Sequence, residues 1–141
     1  MSIKRIQKNF LPLGSLEEEV MEYVWTHSQA SVRDVLMAIK KKRSIAYTTV
    51  MTVMNRLYKK GLLLRTQKSN AYVYAAAVDR NTFFRETATH LTRTLIDQCG
   101  DVAIAQFVDT LESINADKLI MLRKELNKYI EQSEEQKGEQ V

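Results

Sequence analysis

Between Ala46 and Gly61 the chain divides into two faces at helical spacing. Val50, Val53, Met54 and Leu57 recur at three- and four-residue intervals, while Thr48, Thr52, Asn55 and Lys59 fall in one stripe on the opposite side. The spacing predicts a helix from about Ala46 to Lys60, near 22 Å long at roughly 1.5 Å per residue, with Gly61 placed to end it in a left-handed turn. A helix that buries one face and offers hydroxyls, an amide and cations on the other can reach base edges and phosphates. It has the character of a recognition helix.

Two helices are predicted ahead of it. Ser15 can cap the first, with Glu18 three residues on as in a capping box, and Leu16, Val20, Met21, Val24 and Trp25 carry its apolar spacing to about His27. Ser31 opens the second, with Asp34 three positions on and Val32, Val35, Leu36 and Ile39 as the stripe to be buried. That helix runs into Lys40-Lys41-Lys42-Arg43, where cations suit the negative end of the helix dipole and also lie next to the recognition helix, within reach of phosphate.

After Gly61 the period changes. Leu62 to Gln67 and Ala71 to Ala75 are rich in Leu, Val and Tyr, with turn chemistry at Lys68-Ser69-Asn70. Three helices followed by strand, turn and strand make a winged helix-turn-helix, the hairpin being the wing. The fold class expected is mainly α: three helices plus a two-stranded β-wing, then a helical dimerisation domain.

From Asn81 the pattern is helical throughout. Phe84, Ala88, Leu91 and Leu95 recur to a stop at Gly100, a short helix covers about Val102 to Leu111, and a last one from near Asn115 places Leu119, Leu122, Leu126 and Tyr129 at alternating three- and four-residue intervals. These helices have few aromatics to close a core among themselves, and an identical chain is the simplest partner for their apolar faces. The dimerisation candidates are Leu91, Leu95, Phe107, Leu111, Leu119, Leu122, Leu126 and Tyr129. The domain plan is a basic arm at 1–13, a DNA-binding domain at 14–80, a dimerisation domain at 81–130 and a Glu/Gln-rich disordered tail at 131–141.

Charge sharpens this division. Residues 1–80 hold 14 Lys and Arg against 6 Asp and Glu, while residues 81–141 hold 7 against 11. The first part suits a polyanion and the second would be repelled by one, which fits contacts between protein chains. Lys4, Arg5 and Lys8 make the amino terminus a basic arm that can lie along a phosphate backbone or remain a solvated tail.

Catalysis finds no support. The chain has four glycines, none at phosphate-loop or dinucleotide spacing. One cysteine, Cys99, excludes an internal disulfide and is expected to be a small buried or half-buried side chain. With His27 and His90 far apart, no zinc-like ligand set exists, so no cofactor and no metal are expected. No apolar run is long enough for a signal peptide or a membrane span, so no membrane insertion and a cytoplasmic location are expected.

For contact with double-stranded DNA the side chains divide by chemistry. Thr48, Thr49, Thr52 and Asn55 are short enough to read donors, acceptors and thymine methyls in the major groove. Arg56, Lys59 and Lys60, with Lys68 and Asn70 at the wing tip, suit phosphate or the neighbouring minor groove. Tyr47 either bonds a phosphate at the helix start or packs on the second helix. The competing reading is a protein-interaction adaptor that uses a winged-helix scaffold without DNA binding. Against it stand the threonines, since adaptor surfaces favour aromatic and Met anchors.

Leu13-Gly14-Ser15-Leu16-Glu17, Val20-Met21, Val24-Trp25, the block Ala46-Tyr47-Thr48-Thr49-Val50-Met51-Thr52-Val53, Asn55-Arg56-Leu57 and Lys59-Lys60-Gly61-Leu62 resemble the penicillinase-repressor (BlaI/MecI-type) transcription regulators. The likeness is close over 13–75 and looser to about 130. The resemblance implies a homodimer of winged-helix heads, joined through carboxy-terminal helices, on a palindromic operator. In the antibiotic-resistance branch it implies relief of repression by a sensor or protease system that cuts the dimerisation segment. Gln106-Phe107 lies where that branch carries an Asn-Phe bond, and this chain has glutamine there. The clustered carboxy-terminal cysteines of the copper-responsive branch are absent.

Overall fold

The computed structural model describes residues 10–139, so Lys4, Arg5 and Lys8 of the basic arm lie outside the described residues. The elements are α1 (Ser15–Thr26), β1 (Ala30–Ser31), α2 (Val32–Lys40), α3 (Tyr47–Lys59), β2 (Leu63–Lys68), β3 (Ala71–Ala76), α4 (Arg80–Cys99), α5 (Asp101–Ile114) and α6 (Ala116–Gly138). The chain is mainly α, and its first part is a winged helix-turn-helix. The strands form one antiparallel sheet in the order β1-β3-β2.

The described residues separate into two compact units that divide between Leu91 and Thr92. The first has a full interior. Val20, Met21 and Val24 from α1, Val35 and Ile39 from α2, Val50, Met54 and Leu57 from α3, and Leu62, Leu63 and Tyr74 from the hairpin are all buried in one cluster. Trp25 is core-packed as expected: its Nε1–H donates to the Val78 carbonyl at 2.8 Å, and its ring meets Phe83 at 5.6 Å between centroids.

Local chemistry accounts for the element ends. At α2 the Ser31 hydroxyl accepts from the Asp34 N–H at 3.1 Å and the Asp34 carboxylate accepts from the Ser31 N–H at 2.9 Å, a reciprocal capping box at the residue from which the sequence opens the helix. The box expected at α1 does not form. Gly14 is the N-cap, no side chain caps that helix, and Ser15 is already its first helical residue. Glu17 and Glu18 in the first turn still complement the dipole.

Three further features depart from the sequence expectation. β1 pairs Ala30 with Tyr74 and Ser31 with Val73, a two-residue strand too short to carry an alternating pattern. α4 turns Phe83 and Thr87 inward, one position off the stripe Phe84, Ala88 and Leu91, which is exposed. Burial of Phe83 in the first unit's core also carries that unit to Leu91, past the expected border at 80/81. Finally, α6 continues through Gly138 where a disordered tail was expected from 131. Glu, Gln and Lys are good helix formers, and an already nucleated helix extends through them at little cost.

In the second unit Ala103 is the only buried hydrophobic residue among those described. Cys99, expected to be buried or half-buried, is exposed. It borders a shallow apolar hollow of about 310 Å³ with Leu95, Val102, Ala103, Gln106, Phe107 and Thr110. Among the described residues no helix is long and apolar enough to cross a membrane.

Candidate nucleic-acid interface

The stripe anticipated on α3 is on the surface. Thr48, Thr49, Thr52, Arg56 and Lys59 are exposed and Asn55 is half-buried, while Val50, Met54 and Leu57 on the other side have no accessible surface. Tyr47, left between two roles by the sequence, is 47% exposed and does not pack into the core. Ala46 is the N-cap and offers no side-chain acceptor, so the helix starts with amide donors that no side chain satisfies. The Thr52 hydroxyl donates to the Thr48 carbonyl at 2.8 Å, which spends its proton within the helix and leaves its lone pairs and methyl outward.

The far end of α3 is closed by Gly61 at φ 81°. The Leu62 N–H donates to the Leu57 carbonyl and the Gly61 N–H to the Tyr58 carbonyl, both at 3.0 Å, which is the paired bonding of a Schellman stop. β2 begins two residues after Gly61, so the hairpin is hung directly from the end of α3. Lys68 and Ala71 pair at the hairpin end, leaving Ser69-Asn70 as the loop, with Ser69 in the left-handed region at φ 55°. Lys68 and Asn70 are exposed at this tip, as the sequence suggested.

Two cations that flank α3 are tied to glutamates of α1. Lys60 Nζ sits 2.9 Å from Glu17 Oε2 and Arg43 pairs with Glu19 at 2.6 Å. The Lys60 ammonium therefore braces α3 against α1, apart from the stripe of Thr48, Thr52, Asn55 and Lys59. Lys59, one residue earlier, is exposed on that stripe.

Arg65 is a functional candidate that the sequence reading missed. Its guanidinium lies 4.0 Å from the centroid of the Tyr58 ring on α3 and 4.2 Å from that of Tyr72 on β3. Its Nη1 donates to Asn55 Oδ1 at 2.8 Å. Burial works against this charge, but a hydrogen bond to Tyr74 and the surrounding tyrosines outweigh it and its pKa is raised. A signal was present. Alternation along β2 puts Arg65 on the same face as buried Leu63, and a permanent cation on an inward-facing position requires partners.

Elsewhere, backbone and side-chain bonds from Ser31 hold the Asp34 carboxylate below its usual range, and those from Thr82 do the same for Asp79 at the start of α4. Both shifts mark helix starts.

The expected dimerisation residues lie at or near the surface. Leu91 at the end of the first unit, and Leu95, Phe107, Leu126 and Tyr129 in the second, are exposed; Leu111, Leu119 and Leu122 are half-buried. Gln106 and Phe107 sit inside α5, both exposed.

The sequence profile described as Penicillinase repressor matches residues 13–128. The chain belongs to the penicillinase repressor family. It is therefore a transcriptional repressor and not an enzyme. Transcriptional regulator BlaI of Mycobacterium tuberculosis is 36% identical over 117 residues, covering 81% of this chain and 82% of that protein. Methicillin resistance regulatory protein MecI of Mammaliicoccus sciuri is 27% identical over 116 residues, covering 82% of this chain and 94% of that one. Among solved structures, the DNA binding domain of the repressor BlaI aligns over 53% of this chain and 92% of its own, with 28% identity and a TM-score of 0.48.

Proposed function

We propose that this repressor acts as a homodimer on a palindromic operator. Each copy lays α3 in the major groove of one half-site and sets its hairpin against the adjacent backbone, while the helices of the second unit join the copies. The observation that carries this reading is the division of α3: Thr48, Thr52, Asn55 and Lys59 are available on one side because Val50, Met54 and Leu57 fill the core on the other. Thr48, Thr49, Thr52 and Asn55 take the base edges. Arg56, Lys59, Lys68 and Asn70 take phosphates or the neighbouring minor groove, and Tyr47 stands where it can bond a phosphate at the helix start.

The pairing of copies supplies affinity. A second head bound to the same duplex binds intramolecularly, which gains roughly 10² to 10⁴ when the geometry allows it. Anything that separates the copies then releases the operator. A sensor or protease system that cuts Gln106-Phe107 would do so, and because both residues lie within α5 that helix has to unwind locally to enter a protease. Intact chains in induced cells, shown by mass, would remove this route and leave the repressor reading in place.

The test of the reading is a footprint of the purified protein on the DNA upstream of its own gene, with binding followed across salt. Two protected half-sites one or two helical turns apart are expected, together with a logarithmic salt slope of about −0.9 per phosphate neutralised. Failure to bind any duplex offered would overturn it in favour of an adaptor.

A further inference from the structure

We propose that Arg65 is a specificity-determining positioning residue: it fixes the amide of Asn55 so that α3 offers the DNA a hydrogen-bond donor at that point. The inference rests on the DNA-binding reading above and concerns how one base position is read. A free asparagine is ambiguous, because its amide carries an acceptor and a donor that exchange places by a half-turn of the side chain. Paired with adenine it uses both, the oxygen taking the N6–H and the nitrogen giving to N7.

Here the half-turn is blocked. A guanidinium is a donor with no acceptor, so only Oδ1 of Asn55 can face Nη1 of Arg65 at 2.8 Å. The planar fork that holds Oδ1 is itself stacked on Tyr58 and Tyr72, at 4.0 and 4.2 Å from their centroids. Those rings belong to α3 and β3, so the clamp is supported from the helix and from the wing at once. Turning Nδ2 toward the guanidinium would set donor against donor.

Asn55 therefore presents Nδ2–H. In the major groove the complementary acceptors are adenine N7, guanine N7 and O6, and thymine O4, whereas cytosine offers only its N4–H₂ donor. The position read by Asn55 should reject cytosine on the contacted strand, the base that offers only a donor there. Arg65 does this without touching the base.

The test uses the full chain and a synthetic operator carrying each of the four bases at each half-site position. Wild type should disfavour cytosine at one position by roughly five- to hundred-fold. Arg65→Met, which keeps an apolar stem beside the two tyrosines, should reduce that preference to within about twofold, and Asn55→Ala should do the same. The double variant should match Asn55→Ala, since the two residues act through one contact. The salt slope should be unchanged in Arg65→Met, because no phosphate contact is lost.

In the free protein, the Asn55 side-chain amide resonances should shift and broaden in Arg65→Met. Arg65→Lys, charged but without the fork, should show a preference between the two. Wild-type binding whose discrimination against cytosine survives in Arg65→Met overturns the inference and leaves the DNA reading standing. A salt slope reduced by about 0.9 in Arg65→Met with preference intact makes Arg65 a phosphate ligand, and also overturns it. A wild type that binds no duplex overturns both.

Discussion

The two units of this repressor spend their hydrophobic residues differently. In the first, side chains from three helices and a hairpin reach zero or near-zero exposure around Val35, Met54, Leu57 and Leu62. In the second, α4, α5 and α6 carry Ile96, Val102, Ile104, Ile114, Met121 and Ile130 on the outside, and Ala103 alone is buried among the described residues. The first unit is complete as a single copy. The second has apolar surface well beyond what one copy covers, a condition that marks a surface awaiting a protein partner, and the proposed partner is a second copy.

The sharpest way to break this contrast is to put charge where only the second unit has surface to lose. Leu126→Glu, on a residue 50% exposed, should leave the single chain folded while separating the copies. Sedimentation should report monomer, and operator affinity should fall by roughly 10² to 10⁴. A dimer that survives with full affinity would mean that this face is not the one used.

Truncation should sort the units by energy. Leu57→Ala, fully buried on α3, should cost about 2–5 kcal/mol in denaturant unfolding. Leu126→Ala, measured below the concentration at which copies associate, should stay within about 0.5 kcal/mol of wild type. Equal costs at the two sites would contradict the contrast.

Backbone chemistry sets smaller effects in the first unit. Gly61→Ala forces a Cβ into φ 81° and should cost about 1–2 kcal/mol. Ser31→Ala removes the α2 cap and should cost about 1 kcal/mol. The smallest effect is on pH. The Asp34 carboxylate is held below its usual pKa by its bonds to Ser31, so its contribution is complete above the unfolded value of about 3.9 and is lost as pH falls through the lower folded value. Asp34→Asn should flatten that part of the acid unfolding profile, and an unchanged profile would show that the cap does not titrate with folding.

Local signals made much of the first unit legible in the sequence. Ser31 with Asp34, Gly61, and the four-residue stripe of α3 each act within one helix, and each appears in the structure as its spacing suggested. Ser15 misled because a capping motif was available, yet the N-cap falls one residue earlier, at Gly14. The inward face of α4 was set by tertiary packing: Phe83 lies against Trp25 and Phe10 from residues far back in the chain, while periodicity alone favoured Phe84. Arg65 escaped notice for the same reason. Its partners Asn55, Tyr58 and Tyr72 come together only when β2 and β3 pair and fold back beside α3.

Because Thr48 and Thr52 are exposed and contribute nothing to the interior, they are free to vary in a way that Met54 and Leu57 are not. A lineage carrying this scaffold can drift toward new promoters by exchanging two or three solvent-facing side chains, with little penalty in thermal tolerance at each step. Diversification of the regulated genes is thereby uncoupled from the problem of staying folded.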